Sequence, residues 1–113
     1  MQKMKVTVKG HTTIIKDNKD DLGEFISKLT YEIGNFKEQN LIVDLSHYGA
    51  IEVKHLLFFH PLSTDHKRNK KSFVMVVSAT DFNALPDNFT AVPSLLEAHD
   101  IIEMEEIERD LGF

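Results

Sequence analysis

Leu41-Ile42-Val43-Asp44-Leu45-Ser46-His47-Tyr48-Gly49-Ala50-Ile51-Glu52-Val53-Lys54-His55-Leu56 is the stretch on which the architecture turns. Its first five residues form a short, nearly continuous apolar run. That is the pattern of a strand buried on both faces of a sheet, because a strand with one wet face would alternate. Polar residues and Gly49 then interrupt the run. From Glu52 the positions Val53, Leu56, Leu57 and His60 fall on one side of a helix, until Pro61 removes a backbone donor and crowds the preceding turn. The helix is predicted to kink or restart there. A doubly buried strand leading into a helix points to an α/β domain in which this strand is central.

The flanking sequence extends that reading. Met4 to Lys9 alternates apolar and polar residues, Thr12 to Lys16 is β-branched and apolar, and Gly10-His11 between them is a turn signal, so an opening hairpin is predicted. Asp21 and Glu24 make a capping-box signature, and Leu22, Phe25, Ile26, Leu29 and Ile33 recur at helical spacing, which predicts a helix to about Phe36. Ser72-Phe73-Val74-Met75-Val76-Val77 is a second buried-strand run, Ala79 to Asp87 is short and poorly periodic, and Phe89-Thr90-Ala91-Val92 reads as an edge strand. Pro93 lies just outside a final helix announced by Ser94 and Glu97. Strands alternating with helices predict a mostly parallel or mixed sheet, with the hairpin supplying antiparallel pairing.

A chain of 113 residues has apolar material for one core. A hydrophobic share of 42% and a charged share of 27% match a folded globular protein and not a disordered one. No apolar run approaches the roughly 18 residues that span a bilayer, and no leader pattern opens the sequence. With cysteine absent, a reducing compartment fits, so the expected location is cytoplasmic and no membrane partner is expected. The net charge of −5 opposes binding to a polyanion. The basic run His66-Lys67-Arg68-Asn69-Lys70-Lys71 contains no aromatic stacking residues and falls between a helix and a strand. It reads as a solvated turn at the negative end of a helix dipole, and no nucleic-acid partner is expected.

The segment from Leu41 to Leu56 resembles the central segment of STAS domains, the family of bacterial anti-sigma-factor antagonists. In that family a strand ending in Asp-Leu-Ser leads through a short loop to Asp-Ser-Ser-Gly-Leu at a helix start, and the spacing matches here without a gap. The basic helix end, the Phe73-to-Val77 strand and Val92-Pro93-Ser94-Leu95-Leu96-Glu97-Ala98 occupy similar positions. The resemblance implies an α/β fold, a STAS-like single domain over residues 1–113 with a four- to five-stranded mixed β-sheet flanked by helices. It also implies a regulatory, protein-binding role, with Ser46, His47, Glu52, Val53, Lys54 and His55 on the surface that grips a partner, either an anti-sigma-factor-like protein or another regulator. The departures are specific. The family's serine pair, which holds the phosphoacceptor, is matched by Val53 and Lys54, so this surface is expected to work without phosphorylation at the usual site. Glu52 keeps the acidic character of the family aspartate, and His55 replaces the glycine.

Catalytic patterns are scarce. Two histidines that share a metal from one helix face need a spacing of three or four, whereas His55, His60 and His66 are separated by five and six. Glu52 and His55 form a single Glu-x-x-His, where di-iron bundles need two copies and further carboxylates. Ser46 lacks a Gly-x-Ser-x-Gly elbow, no phosphate-cradling glycine motif occurs, and the His-x-His-x-Asp-His cluster of metallo-β-lactamase hydrolases is absent. The expectation is a non-catalytic chain without cofactor or bound metal. The alternative is a small-ligand- or metal-dependent enzyme in which Asp44, Glu52 and histidines converge on folding.

The final helix is out of phase with itself. Leu95, Ala98 and Ile102 share one face, but Met104, Ile107 and Leu111 project almost oppositely at about 100° per residue. Three arrangements would reconcile the two sets. The helix breaks near Glu103, the second set covers another edge of the core, or residues 104–113, with Phe113 at their end, form a candidate docking tail for a partner or for a homodimer.

Overall fold

In the computed structural model, which describes residues 4–17 and 21–112, the opening alternation becomes β1 (Lys5–Lys9) and β2 (Thr12–Lys16), paired antiparallel. Gly10 makes the turn at a φ of +62°, a conformation in which a side chain would be strained. β3 (Asn40–Asp44), β4 (Phe73–Val76) and β5 (Thr90–Val92) then add in chain order, each parallel to its neighbour. The result is a five-stranded mixed sheet with β3 in the middle, as the apolar run required.

Register sorts the side chains into two layers. Ile15, Val43 and Met75 stand side by side on one face, and Ile14, Ile42 and Val74 on the other. The first face packs against Phe25 and Leu29 of α1 (Leu22–Glu32), Leu56 of α2 (Val53–Leu56), Phe59, and Leu62 of α3 (His60–Arg68). The second face is covered by Ala98 and Ile102 of α4 (Leu95–Asp110). β1 is an edge strand with all five residues exposed.

Local chemistry sets the helix ends. The Asp21 carboxylate accepts from the Glu24 N–H, and the Ser94 hydroxyl accepts from the Glu97 N–H, so both predicted caps form. α2 lasts one turn and gives way to a 3₁₀ segment, Leu57–Phe59, before α3 restarts with Pro61 in its opening turn, where a missing N–H costs nothing. The tighter winding changes the helical phase. Phe59 is fully buried while Leu57 is exposed, which corrects the assignment of Leu57 to the inward side.

α4 does not break. It runs unbroken through Glu103, and Met104, Ile107 and Leu111 are 62%, 53% and 65% exposed, so they cover no part of the core. Phe113 lies outside the described residues. The inward side of this half is polar. Asn40 and Ser72, buried at the starts of β3 and β4, receive Glu105, Glu106 and Arg109. Asn40 donates to the Glu106 carboxylate at 3.0 Å, and its oxygen accepts from the Ser72 N–H at 2.9 Å and from Arg109 at 3.3 Å. The Ser72 hydroxyl donates to Glu105 and accepts from the Arg109 guanidinium.

The basic run is likewise not a solvated turn throughout. His66 is buried, its Nε2 lies 2.7 Å from the Gln39 carbonyl oxygen, and its ring meets Phe73 edge-on. Burial pushes the His66 pKa below its ordinary value, the Gln39 hydrogen bond opposes that shift, and the Lys71 charge adds to it. The half-buried Lys67 donates to the Asn88 carbonyl; burial lowers its pKa, and the charge of Glu105 opposes that shift.

Candidate functional site

The carboxyl ends of β3 and β4 lie side by side because the strands are parallel, so the loops leaving them are brought together. After β3 the chain is turned by Asp44, whose carboxylate accepts from the Ser46 N–H at 2.9 Å and from the Ser46 hydroxyl at 2.7 Å. The Ser78 hydroxyl, just beyond β4, donates to the Ser46 carbonyl at 2.9 Å. Tyr48 donates to the buried Asp17 carboxylate at 2.7 Å, and the His47 ring lies 4.3 Å from that of Tyr48. Gly49, at φ +75° and ψ −136°, then redirects the chain through a backbone conformation that side chains rarely adopt. Ala50 bridges to Ala79, with the Ile51 N–H donating to the Ala79 carbonyl at 3.0 Å.

This clasp leaves a cleft of about 540 Å³ between Ala50, Ile51, Glu52 and Val53 on one side and Ala79, Thr80 and Asp81 on the other. Clefts outside the carboxyl ends of parallel strands are the usual binding position in open α/β sheets. The two alanines keep the walls low. Glu52 and Asp81 are both exposed and give the cleft two carboxylates. The Thr80 hydroxyl oxygen is buried and has no hydrogen-bond partner among the described residues.

Of the residues singled out from the sequence, Glu52, Lys54 and His55 are exposed at the α2 start, Val53 is half-buried at the cleft, and His47 is exposed on the preceding loop. Ser46 instead holds the loop through Asp44 and Ser78. The Glu52 side chain caps no backbone N–H; it lies 3.9 Å from Lys54 in a solvent-exposed ion pair. Asp44 and Glu52 do not converge. Asp44 lines a separate cleft with Lys5, Thr7, Ile14, Lys16 and Leu95. Among the described residues no three His, Asp or Glu side chains are grouped to hold a metal ion. Ala79, Thr80 and Asp81 were not singled out from the sequence, and the parallel register of β3 with β4 is the signal that would have found them.

Fold and cleft together define a mixed-sheet α/β domain with a small open cleft at the carboxyl edge of its parallel strands. No protein-family model matches the chain, and no curated protein matches it. Among the described residues no helix is long and apolar enough to cross a membrane.

Proposed function

We propose that this chain is a non-catalytic, regulatory protein-interaction module of STAS type, acting in the cytoplasm, whose partner docks on the α2 start and the adjoining cleft. The observation that carries the reading is the presentation of Glu52, Lys54 and His55 in solvent beside a cleft walled by Ala50, Ile51, Val53 and Ala79. The strand-loop-helix order across residues 41–56 supports the STAS comparison. With valine and lysine where the family carries its serine pair, docking is constitutive at this surface and is not switched by phosphate. The partner is a protein that seats an apolar side chain in the cleft against Val53 and Ala79 and brings an acidic group to the exposed Lys54.

The test starts with a photo-crosslinking residue at Lys54 or His55, with Tyr31 on α1 as an exposed control. The protein captured from positions 54 and 55 but not 31 is then purified, and its affinity is measured calorimetrically. Val53→Asp and Lys54→Glu are each expected to weaken binding at least tenfold with circular dichroism unchanged. Equal affinity for both variants would place the contact elsewhere and reject the proposal. Stoichiometric, tight uptake of zinc or manganese by the intact chain would replace it with the metal-dependent alternative.

A further inference from the structure

On the outward side of α4, Leu96, Met104, Ile107 and Leu111 recur at helical spacing, and Leu96 is 72% exposed. The exposed residues between and beside them are Glu97, Asp100, Glu103, Glu108 and Asp110. Arg109 is the one Lys or Arg of this helix, and it points inward to Asn40 and Ser72. The outward face therefore combines an apolar patch of Met104, Ile107 and Leu111 about two turns long, with Leu96 two turns back and Asp100 on the line between, with carboxylates on both flanks and, among the described residues, no Lys or Arg.

We infer that this face docks a basic amphipathic helix of another protein, a helix with a Leu- or Ile-rich stripe flanked by Lys and Arg. Charge decides between occupants. A second α4 laid on the first would set carboxylates against carboxylates over the length of the patch, whereas a basic helix meets each flank with the opposite sign. An anionic membrane surface is repelled for the same reason. Four apolar side chains make an interface at the small end of the range, so the expected dissociation constant is on the order of micromolar. The inference does not rest on the cleft reading, because α4 covers the face of the sheet opposite to the one that buries Leu56 of α2.

The probe is a fluorescent 18-residue synthetic peptide with leucines at alternating spacings of three and four and with lysines and arginines on the flanks. Its anisotropy is measured with the full chain at two salt concentrations. Two control peptides accompany it, one with the same composition in scrambled order and one with Glu in place of each basic residue. The inference expects micromolar binding of the basic amphipathic peptide alone. It also expects at least tenfold weakening by Met104→Ser with Ile107→Ser, similar weakening by Glu103→Lys with Glu108→Lys, and loss of affinity at high salt. All four positions are exposed, so the variants retain the buried contacts of α4. Val53→Asp should leave peptide binding unchanged, which separates this result from the fate of the cleft. Equal binding of the scrambled peptide would reduce the face to a general charge effect and overturn the inference. Sedimentation showing a dimer of the chain that Ile107→Ser dissolves would overturn it in favour of a second copy.

Discussion

Replacing Asn40 by leucine is expected to loosen the carboxyl half of α4 without removing any apolar contact. Asn40 is fully buried and makes three hydrogen bonds, to the Ser72 N–H, to Glu106 and to Arg109. Leucine matches the branched outline of asparagine with the same number of side-chain heavy atoms but is the larger residue, so crowding at this buried site adds to the loss of polarity. The Ser72 N–H would be left buried without an acceptor, at about 1–3 kcal/mol. Glu106 and Arg109 are half-buried and can recover part of their bonding from water, so their loss adds roughly 1 kcal/mol. The polar losses sum to about 2–4 kcal/mol, a large share of the roughly 5–15 kcal/mol that holds a domain together. At about 4 °C per kcal/mol for a chain of this length, they lower the midpoint by roughly 8–16 °C. Urea unfolding followed by circular dichroism gives the total, and hydrogen exchange by mass spectrometry gives its location. Residues 103–110 should lose more protection than residues 95–102, which are held by Ala98 and Ile102. A loss below about 0.5 kcal/mol, or unchanged protection in the second half, would refute the argument that the polar contacts hold this end of the helix.

Acid should destabilise the fold through His66. Its folded pKa is depressed by burial, so the unfolded chain takes up a proton near its ordinary value of about 6.5 while the folded chain does not. Stability present above that value is lost as pH falls through it toward the folded pKa, and His66→Gln should flatten the slope of urea midpoint against pH between about 7.5 and 5.5; an unaltered slope would exonerate this histidine. Gly49→Ala should cost about 1–3 kcal/mol through backbone strain alone, since an added Cβ meets no atom within 4 Å. A thermal midpoint equal to that of the unmodified chain would show that the loop relaxes freely.

The elements that local chemistry encodes were legible in the sequence. Asp21 and Ser94 cap the helices they announce, the runs at Leu41 and Phe73 become buried strands, and Pro61 marks the restart of a helix. The second half of α4 was not legible, because an apolar periodicity assumes an apolar partner. Here the inward residues Glu105, Glu106 and Arg109 meet Asn40 and Ser72, which come from 33 to 69 positions away in the chain. Phe59 escaped for a different reason, since three residues of 3₁₀ winding shift the helical phase by an amount that hydrophobicity does not record. Half of the cleft was visible. Residues 50–53 come after a recognisable strand, but Ala79, Thr80 and Asp81 join them only through strand register.

The exposed edge strand β1 has the sequence Lys5-Val6-Thr7-Val8-Lys9 and offers a free row of backbone donors and acceptors. If two copies met there in antiparallel fashion about Thr7, each Lys5 would face the Lys9 of its counterpart, so four ammonium groups would be crowded into one ribbon. The opposite border, β5, is only three residues long. Both borders of the sheet thus resist growth by strand addition, and concentrated solutions of this protein should be slow to nucleate fibrils.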